Sequence, residues 1–531
     1  MGSGGARRAL RSAFLAPASH GPRMGLAWRG QTAKGRLTNV RGAALAAIGA
    51  AGVCGALAVG ACGILAGYED LRFAPGEAAA EGATRLPALD LGSATIYSVY
   101  PSIFSSAGNL AAVTTALPRI HDLGFNVLSL MPVTPVGQAT DTHVTYQSPY
   151  CVSDYYAINP AYGAASDLDA LIAAAHQLGM YVILDEEINE TSWDNALITA
   201  HPEYYVHSDL NPYNAGSIED AFQLADVAQL DYSSSGTQAY ITAMLEYWLA
   251  TYPLDGFRFL TSDVPQSDPT IPATFWRGLR TALEGVNPRV VMWADEEDAS
   301  LANAPFELDY GWLLRGGQPG QDGGLPGLQE VATGASATEL QQAWQEQTTG
   351  YTGVLHTTIL QTWDFGEDIE VYGGVPSTMA AATFNFTING VPMLWNGEEV
   401  GNDESGADTH ALIDWDGPNA PAFTALYKSL LALRNGSTAL QQGAVAWVAS
   451  VTSVTSTAPD HLASYTRSDA TGTFLVLINF SNGPLSGTVE SPPSANGWTD
   501  VSPAGSPGGV AHVSPPDVSL APYDFAVFRS N

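Results

Sequence analysis

The sequence predicts a (β/α)8 TIM barrel with an inserted subdomain after its third strand, followed by a C-terminal all-β domain and preceded by an N-terminal membrane segment. Three observations predict it. Short apolar runs of buried-strand length alternate with helical stretches, and eight such runs fall between residues 92 and 435. From about residue 440 the texture changes to short runs such as Phe474–Asn479 and Phe525–Phe528, separated by Gly, Ser and Pro. Near the start, Gly42–Gly67 is 26 consecutive residues without a charge, long enough to span a bilayer.

Residues 1–41 carry eight bases (Arg7, Arg8, Arg11, Arg23, Arg29, Lys34, Arg36, Arg41) and no acid, which reads as a basic cytoplasmic tail. Glu69 and Asp70 follow the apolar segment. The positive-inside rule then places the N-terminus in the cytoplasm and the body outside, exported as a single-pass membrane protein. Two alternatives remain. The Ala and Gly content shortens the effective apolar core, as in a cleaved signal peptide. Val59-Gly60-Ala61-Cys62 also resembles a bacterial lipobox, which would put a lipid on Cys62. All three readings export the body. Residues 68–91 read as a linker.

The barrel elements follow in order. Ala94–Tyr100 reads as a strand, Leu110–Leu123 as an amphipathic helix, and Asn126–Met131 as a buried strand. Leu168–Leu178 is helical and Tyr181–Leu184 a strand. Residues 188–235, irregular and rich in Asn, Tyr, Ser and Pro, form the inserted subdomain. Thr237–Tyr252 reads as a helix, Gly256–Leu260 as a strand, Ala273–Glu284 as a helix and Val290–Ala294 as a strand. Leu308–Trp312, His356–Gln361 and Val391–Trp395 complete eight strands, with helices over Ala337–Gln345 and Phe423–Arg434. The barrel spans residues 92–435, and a C-terminal β-sandwich domain spans 436–531.

Composition bounds the partners. The chain has 531 residues, 53 acids and 20 bases; with eight bases in the tail, twelve remain against all 53 acids. So acidic a body excludes nucleic acid, whose phosphates need a basic surface. It suits a neutral or cationic ligand, or a salty or acidic milieu. Only Cys151 lies outside the N-terminal segment, since Cys54 and Cys62 are within it. An intramolecular disulfide in the body is therefore excluded.

The motifs carry a resemblance. Gly124-Phe125-Asn126-Val127-Leu128-Ser129-Leu130-Met131-Pro132-Val133, then Ser148-Pro149-Tyr150, Asp154-Tyr155-Tyr156 and Asn159-Pro160, run in order. Asp226-Val227-Ala228-Gln229-Leu230-Asp231-Tyr232 and Gly390-Val391-Pro392-Met393-Leu394-Trp395-Asn396-Gly397-Glu398-Glu399 follow. Together they resemble the α-amylase family, glycoside hydrolase family 13, over about residues 92–531. The resemblance implies a retaining glycosidase acting on α-glucan or malto-oligosaccharide. Such an enzyme needs a carboxylate nucleophile and a protonated carboxyl about 5–5.5 Å away, and this family adds a stabilising aspartate.

The chain departs from that pattern at the catalytic end of the barrel. In Asp255-Gly256-Phe257-Arg258-Phe259-Leu260 the arginine is kept, but the nucleophile position is Leu260, whose side chain has no lone pair. At the acid position Ala294-Asp295 offers a side chain one methylene shorter than glutamate, where a misplacement of about 1 Å costs roughly a hundredfold. Glu296 and Glu297 follow. Thr362-Trp363-Asp364 keeps only the stabilising aspartate of Asn-His-Asp. In the third-strand motif Asp185 and Asn189 remain, while Glu190 replaces histidine. The resemblance implies catalytic positions at Asp295 and Asp364, substrate contacts at Tyr150, Arg258, Trp363, Asp185 and Glu190, and a calcium ligand at Asn189. The other calcium ligands are not traceable.

Asp263 lies at an odd offset from Leu260, which on a strand points to the opposite face. Arg258 reads as structural, buried against strand-end carboxylates. Asp364 reads equally as a sugar ligand or a rim hydrogen-bonding group. Trp363 either stacks on a sugar or plugs the emptied subsite, and the apolar Leu260 favours the plug. Three functions fit: a glucan-binding module that does not hydrolyse; a glycosidase or transglycosylase with rearranged carboxylates (Asp263, Asp295, Glu296, Asp364); and an amylase-like ectodomain partnering a membrane transporter.

Overall fold

The computed structural model describes residues 85–137, 148–209, 211–221, 226–260, 271–297, 305–316, 325–350, 353–363, 368–402, 411–448, 459–490, 494, 496–509 and 512–531. Residues 1–84, with the apolar segment 42–67, lie outside the described residues. Among the described residues no helix is long and apolar enough to cross a membrane.

From the start of the barrel the strands are β1 (Ile96–Val99), β2 (Val127–Leu130), β3 (Tyr181–Glu186), β4 (Glu190–Ser192), β5 (Val227–Gln229), β6 (Gly256–Phe259), β7 (Val291–Ala294), β8 (Leu308–Asp309), β9 (Leu355–Thr358) and β10 (Val391–Trp395). Eight of them, β1-β2-β3-β6-β7-β8-β9-β10, close into a parallel barrel. Ile96 is level with Val127 and Tyr181. Ile183 is level with Gly256 and Val291, and Trp293 with Leu308 and Leu355. Thr357 pairs with Val391, and Met393 returns to Ile96. The ring therefore advances two residues on each of β3, β7, β9 and β10, a total stagger of eight, as expected for a (β/α)8 barrel.

Side-chain alternation divides each strand between two cores. Ile96, Val127, Ile183, Val291, Trp293, Leu308, Val391 and Met393 fill the barrel interior. Tyr97, Leu128, Leu130, Leu184, Phe257, Phe259 and Met292 face the surrounding helices. Gly256 is needed where β6 meets β7, because a Cβ there would stand 2.4 Å from the Val291 carbonyl oxygen. The helix Leu110–Leu123 illustrates the outer layer. Asn109 caps it by accepting from Ala112 N–H, Gly124 ends it at φ 118°, and Leu110, Val113, Leu117, Ile120 and Leu123 form its buried stripe.

The barrel strands fall on the eight apolar runs of the sequence, with two corrections: the strand expected over His356–Gln361 is Leu355–Thr358. The expected strand over Leu308–Trp312 is only Leu308–Asp309. Gly311 N–H donates to the Thr357 hydroxyl at 3.2 Å, and a helical turn, Trp312–Arg315, begins at once. The inserted region is more regular than its composition suggests. β4 and β5 pair antiparallel, Glu190 opposite Gln229, after which helix Ser235–Thr251 returns the chain to the barrel.

After helix Ala420–Asn435 the chain forms an all-β domain. Its strands are β11 (Ala444–Trp447), β12 (Leu462–Asp469), β13 (Gly472–Asn479), β14 (Leu485–Thr488), β15 (Trp498–Asp500), β16 (Asp517–Leu520) and β17 (Phe525–Ser530). A five-stranded sheet, β11-β12-β13-β17-β15, lies with the pair β14-β16. Two buried arginines join this domain to the barrel. Arg467 donates to the Thr387 carbonyl, at the end of helix Val375–Thr387, at 2.7 Å. Arg434 donates to Gly390 O at 2.7 Å and Leu440 O at 2.9 Å. Cations suit carbonyl ends of helices, but burial lowers both guanidiniums, Arg434 to about 9 and Arg467 to about 10.

Candidate active site

The C-terminal ends of β3, β6 and β7 bring three charged side chains together. Arg258 stands level with Asp185 and Trp293 in the barrel register. Its guanidinium donates to Asp185 Oδ2 at 2.5 Å and, through the other terminal nitrogen, to Asp295 Oδ1. Tyr150 O–H donates to the same Asp185 oxygen at 2.8 Å. The guanidinium carbon lies 4.5 Å from the Tyr310 ring centre and 5.7 Å from that of Trp293. Arg258 is 4% exposed, so it is a buried cation with two anionic partners. Burial lifts Asp185 to about 6 against the pull of Arg258, and burial likewise raises Asp295. Burial alone would lower Arg258, but Asp185 and Asp295 outweigh it and raise it well above its usual range.

Leu260 follows directly after β6 and packs against the main core. Its N–H donates to Glu186 O at 3.3 Å, and its carbonyl accepts from Asn189 Nδ2 at 2.5 Å. Leu260, which the resemblance places at the nucleophile position, thus offers an isobutyl group and a carbonyl already engaged. Trp363 is 7% exposed. Its ring meets Tyr100 edge-on at 4.9 Å and 75°, with Trp395 at 6.5 Å.

The structure separates the sequence-derived residues into groups. Asp185, Arg258, Asp295 and Tyr150 form one hydrogen-bonded cluster. Trp363 belongs to an aromatic cluster with Tyr100 and Trp395. Glu190 sits on β4, where the charges raising its pKa include Asp226. Asp263 and Asp364 lie outside the described residues.

Two further acids escaped the sequence reading. Glu186 and Glu187 are 1% and 0% exposed, and Glu190 is 6% exposed. Each has one carboxyl oxygen without a hydrogen-bond partner among the described residues. Burial raises all three, Glu190 to about 8 and the others well above the ordinary range. Glu187 feels Glu190, Asp185 and Asp295, so it adjoins the Arg258 cluster, and burial together with these like charges raises its pKa. The signal was available: Asp185-Glu186-Glu187 ends an apolar strand, and period-two alternation puts Asp185 and Glu187 on one face.

Asn189 does not sit in an ion cage. Its side-chain nitrogen faces Leu260 O, its N–H faces Glu187 Oε1, and its carbonyl accepts from Leu230 N–H at 2.9 Å. Among the described residues, no group of three His, Cys, Asp or Glu is arranged to hold a metal. The described residues therefore do not fit a calcium ion at Asn189.

A family model for the α-amylase catalytic domain matches residues 74–214. A cyclomaltodextrinase from Geobacillus thermopakistaniensis is 25% identical over 447 residues, 79% of this chain and 70% of that protein. A glucan 1,6-alpha-glucosidase from Streptococcus dysgalactiae subsp. equisimilis is 25% identical over 315 residues, 52% of this chain and 51% of that protein. A 1,4-alpha-glucan-branching enzyme from Debaryomyces hansenii is 30% identical over 154 residues, and this chain spans only 19% of its length. Among solved structures, a maltogenic α-amylase from Thermotoga neapolitana superposes with a TM-score of 0.68 at 21% identity, covering 83% of this chain and 99% of that one. An α-amylase from Lactobacillus plantarum gives 0.67 at 24% identity, covering 83% and 99%. The solved structures share the fold of this chain, residues 74–214 match the α-amylase catalytic domain, and the relatives that match beyond that segment are α-amylase-family enzymes.

Proposed function

We propose that this protein recognises α-glucan at the C-terminal end of its barrel and does not hydrolyse it through the family's catalytic positions. One observation carries the reading: both terminal nitrogens of Arg258 are engaged by Asp185 and Asp295, while the end of the same strand presents Leu260. A retaining mechanism needs two carboxyl groups free to act on the glycosidic bond. Here the shortened acid is tied to a buried guanidinium, and Leu260, at the position the resemblance assigns to the nucleophile, has no nucleophilic side-chain atom. The relatives' names supply the ligand class, since they include a cyclomaltodextrinase and a glucan 1,6-alpha-glucosidase. In this reading Asp185 and Tyr150 hold the sugar-binding floor, Trp363 fills the emptied subsite, Asp364 is a rim ligand, and residues 42–67 export and anchor the body.

A second reading draws on Glu187. It is a buried acid whose pKa is raised by burial and by nearby Glu190, Asp185 and Asp295, and a rearranged glycosidase would use such a group as its acid. Malto-oligosaccharide binding measured beside product release separates the two. Binding without release supports recognition, whereas release lost on Glu187→Gln supports the rearranged enzyme. Absence of binding and of release would refute both.

A further inference from the structure

A cavity of about 650 Å³ lies at the opposite end of the barrel from the Arg258 cluster, where β9 and β10 begin and the C-terminal domain starts. That is within the size range of small-molecule sites, about 300–1,000 Å³. Four amide side chains line it, and each has one end fixed by the protein. Gln347, 2% exposed, donates through Nε2 to Glu297 Oε1 at 2.7 Å. Asn389 accepts from Trp344 Nε1 at 2.6 Å. Gln442 donates to Asp90 at 3.1 Å, and Gln441 to Asn435 O at 3.4 Å. The other end of each amide has no hydrogen-bond partner among the described residues: the oxygens of Gln347, Gln441 and Gln442, and the nitrogen of Asn389. None of these four open ends is fully buried without a partner, so they remain available to a ligand.

The lining identifies a ligand class. The open groups are neutral acceptors and one neutral donor, held in place before any ligand arrives. The carboxylate of Asp90 is already engaged by Gly92 N–H and Gln442. The carboxylates behind the wall are engaged too, Glu297 by Gln347 and Leu313 N–H, and Asp309 by His356 at 2.8 Å. An unpaired charge that would select an ion is therefore missing from these side chains. Leu355, 43% exposed, is an unusually open large apolar side chain and lies in the same cavity with Val354 and Val445. Hydroxyl groups that both donate and accept, together with apolar C–H faces, describe a pyranose.

We propose that this cavity is a second binding site for a short neutral oligosaccharide, held by Gln347, Asn389, Gln441 and Gln442 against Leu355. Taking the oligosaccharide as an α-glucan rests on the functional reading above; the site itself rests on the lining alone.

The test is calorimetric titration of the full chain with maltotriose, beside Ala444→Trp, Gln442→Ala and Tyr150→Ala. Ala444 is exposed and lines the cavity, so an indole there fills it without disturbing a core. The expected result is two classes of site, one weakened at least tenfold by Ala444→Trp and roughly two- to tenfold by Gln442→Ala. The other class responds only to Tyr150→Ala. A single class insensitive to Ala444→Trp but lost in Tyr150→Ala overturns the second site and leaves cleft recognition standing. A single class lost only in Ala444→Trp supports the second site and overturns cleft recognition. No heat from any form overturns both. An unchanged melting temperature for Ala444→Trp establishes that the loss is local.

Discussion

Arg258 on β6 holds the carboxylate of Asp295, one residue beyond β7, while its other terminal nitrogen holds Asp185 on β3. One buried cation thus ties together three barrel strands at the C-terminal end of the barrel. The Asp295 side chain is 20% exposed and that of Arg258 5%. Removing one anion leaves a buried guanidinium under-compensated.

Asp295→Asn is therefore expected to destabilise the fold by about 1–3 kcal/mol, below the range for a fully buried pair because Asp295 is partly solvated. Urea unfolding at neutral pH measures it. An unchanged midpoint would mean that Asp185 alone satisfies Arg258.

Trp363 tests whether the subsite is plugged or lined. Its ring packs edge-on to Tyr100 at 4.9 Å, in the geometry of core aromatics. Trp363→Ala should lose about 3–5 kcal/mol of stability and leave maltotriose affinity unchanged or higher, because the side chain occupies space that sugar would need. Affinity falling five-fold or more in that variant would make Trp363 a stacking platform instead.

Stability should fall as pH rises through the neutral range. Burial lifts Asp185 to about 6, Glu297 to about 7 and Glu190 to about 8. Unfolded, Asp and Glu titrate near about 3.9 and 4.3. Between those values and the folded ones the folded state holds more protons, so this contribution is complete below about pH 4 and is lost progressively towards pH 8. Asp469, lowered to about 2, acts in the opposite direction only at lower pH. The expected melting temperature declines from pH 5 to pH 8, and Glu190→Gln flattens the upper part of the decline. A profile rising over that interval would contradict the protonated-acid description.

Cys151 should be chemically silent in the folded protein. It is 1% exposed, and burial with the nearby carboxylates Asp226, Glu190 and Asp194 pushes its thiol up to about 12. The thiolate is the reactive form. Peptide mapping after iodoacetamide treatment at pH 8 should find Cys151 unmodified until denaturant is added. Modification at a rate near that of a free thiol would contradict its burial.

The barrel was legible because its strands are short apolar runs with unambiguous neighbours. β10, for example, is Val391–Trp395 in both the sequence reading and the structure. β8 was harder, because Tyr310 and Trp312 read as strand residues while Gly311, between them, leaves the ladder for the Thr357 side chain. At the site, motif positions located Asp185, Arg258 and Asp295, but sequence spacing does not say which carboxylates share one guanidinium. Glu187 was missed because a family motif directs attention to the positions it defines, and Glu187 lies between them. The amide-lined cavity was invisible in the sequence, since Asp90, Gln347, Asn389 and Gln442 are brought together only by barrel closure and docking of the second domain.

Product release from malto-oligosaccharides tests the central claim most directly. The purified protein would be followed over many hours beside Asp364→Asn and Asp295→Asn. The expected result is no release above either variant, together with measurable binding. Release by the unaltered protein that either substitution abolishes would contradict the claim, and would mean that the barrel cleaves glucan with a rearranged set of carboxylates.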